Sequence, residues 1–176
     1  MKVLVLGQGG REHAIAWKLS LSEKIEKVYV CPGNGGTAQE KNIENISLSP
    51  SNISSLISFV KKEKVDLTVV GPEGPLVDGI VDEFNKHELM IFGPSTKYAL
   101  LEGSKVFSKE FMKNYDIPTA DYQMFSSAKE AKEFIINKKH PIVIKADGLA
   151  AGKGVVVSSN QDESFKAIDS LLASKH

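Results

Sequence analysis

Three short apolar runs, at residues 3–6, 28–31 and 67–70, each stop at a glycine-rich loop, the second and third of which also carry proline, and amphipathic stretches separate them. Continuous apolar runs mark strands buried on both faces. Their alternation with helices is the pattern of parallel strands joined by crossover connections. The spacing predicts helices over about 11–19, over 50–63 with Ser49 as N-cap and Pro50 in the first turn, and over 76–86. A further short strand is expected at 90–92. The second helix would place Ile53, Leu56, Ile57 and Val60 on one face. Residues 1–94 are therefore expected to form a small doubly wound, parallel-sheet α/β domain.

After Gly93-Pro94 the pattern turns helical over 96–115, interrupted at Gly103 and closed by Ile117-Pro118, which reads as a connector over 95–121. Residues 122–176 begin with a strand around 122–125. Ser127 and Glu130 then form a capping box for a helix to about 137. Two apolar strands follow at 142–146 and 155–158 around a glycine-rich loop. A last helix is expected from about Asn160, with Glu163 three residues on.

A chain of 176 residues suffices for one ordinary domain or two small ones. Its 22 basic and 22 acidic residues cancel, so no chain-wide positive field exists for a nucleic-acid backbone or an anionic membrane, and any anion site must be local. Cys31 is the single cysteine and forms no internal disulfide; at a strand end it reads as a small buried hydrophobe. The apolar run at the N-terminus is too short for a signal peptide, and no stretch of about 18 apolar residues occurs, so a cytoplasmic location is expected.

A strand followed by Gly7-Gln8-Gly9-Gly10 and a helix is a phosphate-binding arrangement, because glycines admit an anion to the backbone and a helix N-terminus favours negative charge. Glu12 stands where a dinucleotide fingerprint has its third glycine, and the second strand ends in Cys31-Pro32 without an acidic residue for a ribose. The loop therefore fits a phosphate monoester better than NAD. Arg11 is either a bidentate phosphate donor or a surface arginine. The loop 32–37 (PGNGGT) and the loop 71–75 (GPEGP) follow the second and third strands. In an open parallel sheet all three loops meet at the carboxyl edge. Glu73 is placed to accept from sugar hydroxyls or an amine; Asp78 does likewise or sits in the first turn of its helix. His13 and Trp17, four residues apart, are expected to pack against the sheet.

The segment from Lys145 through Asp147, Gly148, Gly152, Lys153 and Gly154 has Walker-like composition. Its glycine spacing is too short, however, and it runs from one strand into another apolar run rather than into a helix. It is a hairpin with a glycine tip. Such a flap can close on a triphosphate with its amides and Lys153, while Lys145 projects from the strand as a fixed cation; the plainer reading is a solvated hairpin.

In chain order, GQGGREHA at 7–14, PGNGG at 32–36, GPEGPLVDGIVD at 71–82, FGPS at 92–95, EGSKVFSKEFM at 102–112, IPTA at 117–120 and IKADGLAAGKGVVV at 144–157 resemble the glycinamide ribonucleotide synthetases. These are the phosphoribosylamine-glycine ligases of purine biosynthesis, within the ATP-grasp superfamily. The resemblance implies a pre-ATP-grasp N-terminal domain followed by an incomplete α+β ATP-grasp lid subdomain. It implies that Lys105 and Lys145 contact ATP, and that Gly148, Gly152, Lys153 and Gly154 lie over its phosphates. It implies that Gly9, Gly10, Arg11, Asn34, Gly35, Gly36 and Glu73 face phosphoribosylamine.

In that family ATP phosphorylates the glycine carboxylate, and the amine of phosphoribosylamine attacks the acyl phosphate. Members are much longer than this chain. The expectations are therefore a truncated chain, inactive alone, whose ligands for Mg2+ (or Mn2+) lie beyond His176, acting as a monomer on small molecules. The alternatives are another ATP-grasp carboxylate-amine ligase, or a non-catalytic module that binds a sugar phosphate and ATP.

Overall fold

The computed structural model describes residues 1–150 and 152–173. They fall into two compact units, Met1–Leu100 and Leu101–His176. The expected boundaries near residues 94 and 121 thus compare with a single division at 100/101.

The first unit contains β1 (Lys2–Gly7), α1 (Gly10–Ser20), β2 (Lys27–Pro32), a 3-10 turn (Thr37–Gln39), β3 (Ile43–Asn45), α2 (Ile53–Glu63), β4 (Leu67–Val70), α3 (Glu73–Val77), α4 (Ile80–Lys86) and β5 (Ile91–Phe92). The five strands form one parallel sheet in the order β3-β2-β1-β4-β5. The chain leaves β1 in one direction to β2 and later returns to its other side at β4, so the strand order reverses at β1.

β1 is apolar from Val3 to Leu6 because both of its faces are covered there. Val3 and Val5 pack with Ala16, Val28 and Val30 on one face. Leu4 and Leu6 pack on the other with Leu56, Ile57, Val60, Ile80 and Phe84, from α2 and α4. Val3, Leu4, Val5 and Leu6 are all fully buried, and each such side chain contributes on the order of 1.5–3 kcal/mol.

The first unit departs from expectation at three places. α2 begins at Ile53 with Asn52 as N-cap, its side chain accepting from the Ser55 N–H at 3.1 Å. Ser49 instead makes a turn, its carbonyl accepting from the Asn52 N–H at 3.0 Å. The helix expected over 76–86 is two helices, because Gly79 adopts a left-handed φ of 91° between them. β3 was not expected; of its three residues only Ile43 is buried, which gives no readable alternation.

α5 (Thr96–Gly103) carries the chain across the division. α6 (Lys105–Asn114), α7 (Ala128–Ile135), β6 (Ile142–Lys145), β7 (Val155–Ser158) and α8 (Gln161–Ala173) follow. β6 and β7 form an antiparallel hairpin, with Ile142 opposite Ser158 and Lys145 opposite Val155. Ile142 and Ile144 pack on a small core of Ala131, Ile135, Phe165 and Ile168 from α7 and α8. Ser127 caps α7 as read from the sequence, through the forward bond of the expected box, and Asn160 caps α8. Ser127 Oγ accepts from the Glu130 N–H, and Asn160 Oδ1 accepts from the Glu163 N–H while Glu163 accepts in return from the Ser159 N–H. The strand expected at 122–125 is absent: Tyr122, Gln123 and Met124 are exposed, and Phe125 packs on Phe134 with ring centroids 5.1 Å apart.

Candidate functional site

Since β1, β2 and β4 are parallel, the loops that follow them emerge at one edge of the sheet. They are joined there. The Gly33 N–H donates to Gly7 O at 3.2 Å, the Gly71 N–H to Leu6 O at 3.1 Å, and Asn34 Nδ2 to Gln8 O at 2.8 Å.

Glu12 organises the first loop. It is buried at 5% exposure, and a Cβ on either Gly7 or Gly71 would overlap its side chain. Those two glycines therefore make room for a carboxylate under the loop, where a dinucleotide site would have its third glycine. Glu12 Oε2 accepts from the Gly9 N–H at 2.8 Å, and Oε1 accepts from Arg11 Nε at 2.7 Å. Burial pushes the Glu12 carboxyl up, but the bonds from Arg11 and Gly9 outweigh it and hold the group below its ordinary value. The amide of Gly9 is thus engaged by Glu12. Gly10 begins α1 with open space around its Cα, and the Arg11 side chain is exposed while bonded to Glu12.

The second loop is shaped by a buried threonine. Thr37 Oγ1 donates to Asn34 O at 2.9 Å, lies 2.7 Å from Asn45 Oδ1, and accepts from the Asn34 N–H at 2.8 Å. Asn34 Oδ1 accepts from the Gly36 and Thr37 amides at 2.8 and 3.0 Å. Asn34 is consequently a strut of the loop as well as its link to the first loop. Gly35 lies exposed at the tip, with nothing within 4 Å of a Cβ position.

Glu73 is the first residue of α3, with an exposed side chain. Asp78 is the C-cap of that helix, one turn later, and not in a first turn. His13 and Trp17 also differ from expectation. The inward stripe of α1 is Glu12, Ile15, Ala16 and Leu19, so His13 and Trp17 face sideways. His13 Nε2 lies 3.0 Å from Glu40 Oε1, and Trp17 is 44% exposed in a shallow groove with Gly10 and Ala14.

In the second unit the residues read as nucleotide contacts lie around α6 and the hairpin. Lys105 opens α6, and its Nζ donates to Gly148 O at 2.7 Å. Lys145 ends β6 and shares with Val143, Val155 and Val157 the hairpin face turned away from α7 and α8; all four are exposed. The Ala146 N–H donates to Gly154 O at 2.8 Å and extends the ladder into the loop. Gly148 and Gly152 take left-handed φ values of 86° and 78°. Lys153 is exposed on this loop, and its N–H donates to Ala150 O at 2.8 Å.

Asp147 was absent from the sequence-derived set. Its Oδ1 accepts from the amides of Lys105 and Val106 at 2.7 and 3.2 Å, and its Oδ2 from Ser104 Oγ at 3.1 Å. Burial raises its pKa; the Val106, Gly148, Ser104 and Lys105 bonds outweigh that and hold it below the usual aspartate value. Glu12, Thr37 and Asn45 were also missed. The legible signals were a carboxylate in a glycine position for Glu12 and a carboxylate directly after a strand end for Asp147.

Comparison with known proteins accounts for both units. The family model described as Phosphoribosylglycinamide synthetase, N domain, matches residues 1–102, and that described as Phosphoribosylglycinamide synthetase, ATP-grasp (A) domain, matches 103–176. A curated phosphoribosylamine-glycine ligase from Neisseria meningitidis serogroup B is 55% identical over 172 residues, which cover 98% of this chain and 40% of that protein. A crystal structure of phosphoribosylamine-glycine ligase from Thermotoga maritima matches with a TM-score of 0.71 at 34% identity, over 94% of this chain and 38% of that one. The biotin carboxylase domain of Hydrogenobacter thermophilus 2-oxoglutarate carboxylase, in complex with MgADP, ADP and bicarbonate, matches with a TM-score of 0.76 over 97% of this chain and 40% of that one. At 20% identity that likeness concerns the fold alone. The chain spans about 40% of the length of the curated relatives it matches.

Proposed function

The chain belongs to the phosphoribosylglycinamide synthetase family, and on that premise we propose that it supplies the phosphoribosylamine half, and part of the ATP half, of an enzyme that ligates glycine to 5-phosphoribosylamine. The products are glycinamide ribonucleotide, ADP and phosphate, formed through a glycyl phosphate. In this reading residues 1–94 are a doubly wound, pre-ATP-grasp substrate domain, 95–121 a helical connector, and 122–176 part of an ATP-grasp lid. The enzyme acts as a cytoplasmic monomer.

The observation that carries the reading is the bonded meeting of three loops at one carboxyl edge, above a helix N-terminus. Gly10 and the start of α1 offer amides and a positive dipole end to the substrate's phosphate, and Arg11 adds a cation. The Gly9 amide acts indirectly, because it holds Glu12. Gly35 and Gly36 let the sugar approach the backbone, Asn34 keeps that loop against the first, and Glu73 accepts from ribose hydroxyls or the amine. Asp78 is a more distant acceptor along α3.

On the ATP side, the apolar face of Val143, Val155 and Val157 suits a planar base, with Lys145 beside it for the phosphates. Lys105 and Lys153 supply further positive charge, and the loop from Gly148 to Gly154 closes over the triphosphate to exclude water from the acyl phosphate. Among the described residues no group of three or more His, Cys, Asp or Glu side chains is set to hold a metal ion. Magnesium would accompany ATP and supply charge neutralisation at its phosphates.

Differential scanning fluorimetry of the chain tests the reading. Glycinamide ribonucleotide at about 100-fold its Kd adds about 2.7 kcal/mol and raises the melting temperature, and NADH leaves it unchanged. Stabilisation by NADH with no response to glycinamide ribonucleotide would overturn it.

A further inference from the structure

α6 starts with every one of its early amides occupied from within the chain. Asp147 Oδ1 takes the N–H groups of Lys105 and Val106, and Ser104 Oγ takes that of Phe107 at 3.1 Å. The Ser108 N–H donates to Ser104 O at 3.0 Å, as a helix requires. A helix N-terminus otherwise attracts an anion, and here a carboxylate already fills that place. Any phosphate contact made by this part of the chain must therefore come from the Lys105 ammonium and not from the helix amides.

The same aspartate joins two segments distant in sequence. Asp147 sits between the end of β6 and the first glycine of the loop, 42 residues from Lys105. It grips the start of α6, while Lys105 Nζ reaches back to Gly148 O at 2.7 Å. Two bonds of opposite direction, carboxylate to helix and ammonium to loop, make a two-point joint that fixes both the root of the loop and the direction of the lysine. Ser104 adds a third tie through its hydroxyl, donated to Asp147. A helix cap alone needs no such reciprocity, since Ser104 already caps α6.

We propose that Asp147 is a positioning residue for nucleotide binding: it ties the N-terminus of α6 to the root of the glycine loop and thereby holds the Lys105 ammonium at the loop's first glycine. The inference rests on the reading of Lys105 and this loop as nucleotide contacts. It predicts that Asp147 acts through Lys105, so removal of either loses the same interaction.

Calorimetric titration of ATP with magnesium into the full 176-residue chain tests this, with wild type, Lys105→Ala, Asp147→Ala, Asp147→Asn and the double variant Lys105→Ala/Asp147→Ala. Asp147→Ala is expected to weaken ATP at least tenfold. Asp147→Asn, which keeps a carbonyl acceptor, weakens it less, and Asp147→Ala adds under twofold once Lys105 is alanine. Thermal unfolding of each variant checks folding; if Asp147→Ala does not fold, Asp147→Asn alone and in the Lys105→Ala background carries the comparison. Unchanged affinity in the Asp147 variants, or losses that multiply with that of Lys105→Ala, overturns the positioning role and leaves the nucleotide reading intact. A wild-type chain that binds no ATP overturns both.

Discussion

Replacing Glu12 isolates what the glycines of the first loop accommodate. Glu12→Ala deletes a buried carboxylate that accepts from the Gly9 N–H at 2.8 Å and from Arg11 Nε at 2.7 Å. The bond to Gly9 is charge-assisted and partly buried, on the order of 1.5–3 kcal/mol. Arg11 is exposed, so the ion pair with it adds on the order of 0–1 kcal/mol. Burying the carboxylate has its own desolvation cost. We expect Glu12→Ala to destabilise the first unit by about 2–3 kcal/mol, and Glu12→Gln, which keeps the packing and one acceptor oxygen, by about 1 kcal/mol.

The pH dependence has a definite sign. The folded-state pKa of Glu12 lies below its ordinary value, so its contribution is fully present above the unfolded pKa of about 4.3 and is lost as pH falls through the folded value. Urea titrations followed by the fluorescence of Trp17, the single tryptophan and a residue of α1, report on this unit. The gap between wild type and Glu12→Gln should be open at pH 7 and narrow progressively as pH falls below the unfolded pKa of about 4.3. Equal stability of Glu12→Ala and wild type at pH 7, or a gap that persists unchanged to pH 3, would refute the reasoning.

Other outcomes follow from the same structure. Phe84→Ala, at a fully buried position beneath β1 and β4, should lower stability by about 3–5 kcal/mol in the same urea assay. Asn34→Ala cuts the link to Gln8 O and the struts to Gly36 and Thr37, so it should weaken glycinamide ribonucleotide in fluorimetry more than it lowers the melting temperature of the unliganded chain. Cys31 is fully buried and its thiol is pushed up to about 11 by burial, so at pH 8 a disulfide reagent should label it only as fast as the chain unfolds.

The strands of the first unit could be read from the sequence because burial on two faces demands unbroken apolar runs, as at Val3, Leu4, Val5 and Leu6. β3 escaped, since a three-residue edge strand with one buried side chain leaves no period to detect. The break between α3 and α4 was hidden because Ile80, Val81 and Phe84 continue the apolar spacing across Gly79, and only the backbone turn at that glycine separates the helices. The glycine loops were conspicuous, yet one part of their role was not legible. Gly7 and Gly71 were legible as loop residues, but their role of admitting Glu12 depends on a contact between β1, α1 and β4 that no local window contains. Asp147 was hidden for a similar reason: within its own segment it resembles a solvated loop residue, and its partners lie 41–43 residues away.

The central claim is that the carboxyl edge of the sheet binds the ribonucleotide. A titration of isotopically labelled chain with glycinamide ribonucleotide, followed by amide chemical shifts, tests it most directly. The account predicts shifts at Gly10, Arg11, Gly35, Gly36 and Glu73, with none at Glu26, Asn42, Asp66 or Met90 on the opposite edge. Shifts confined to that opposite edge, or none at millimolar ligand, would contradict it.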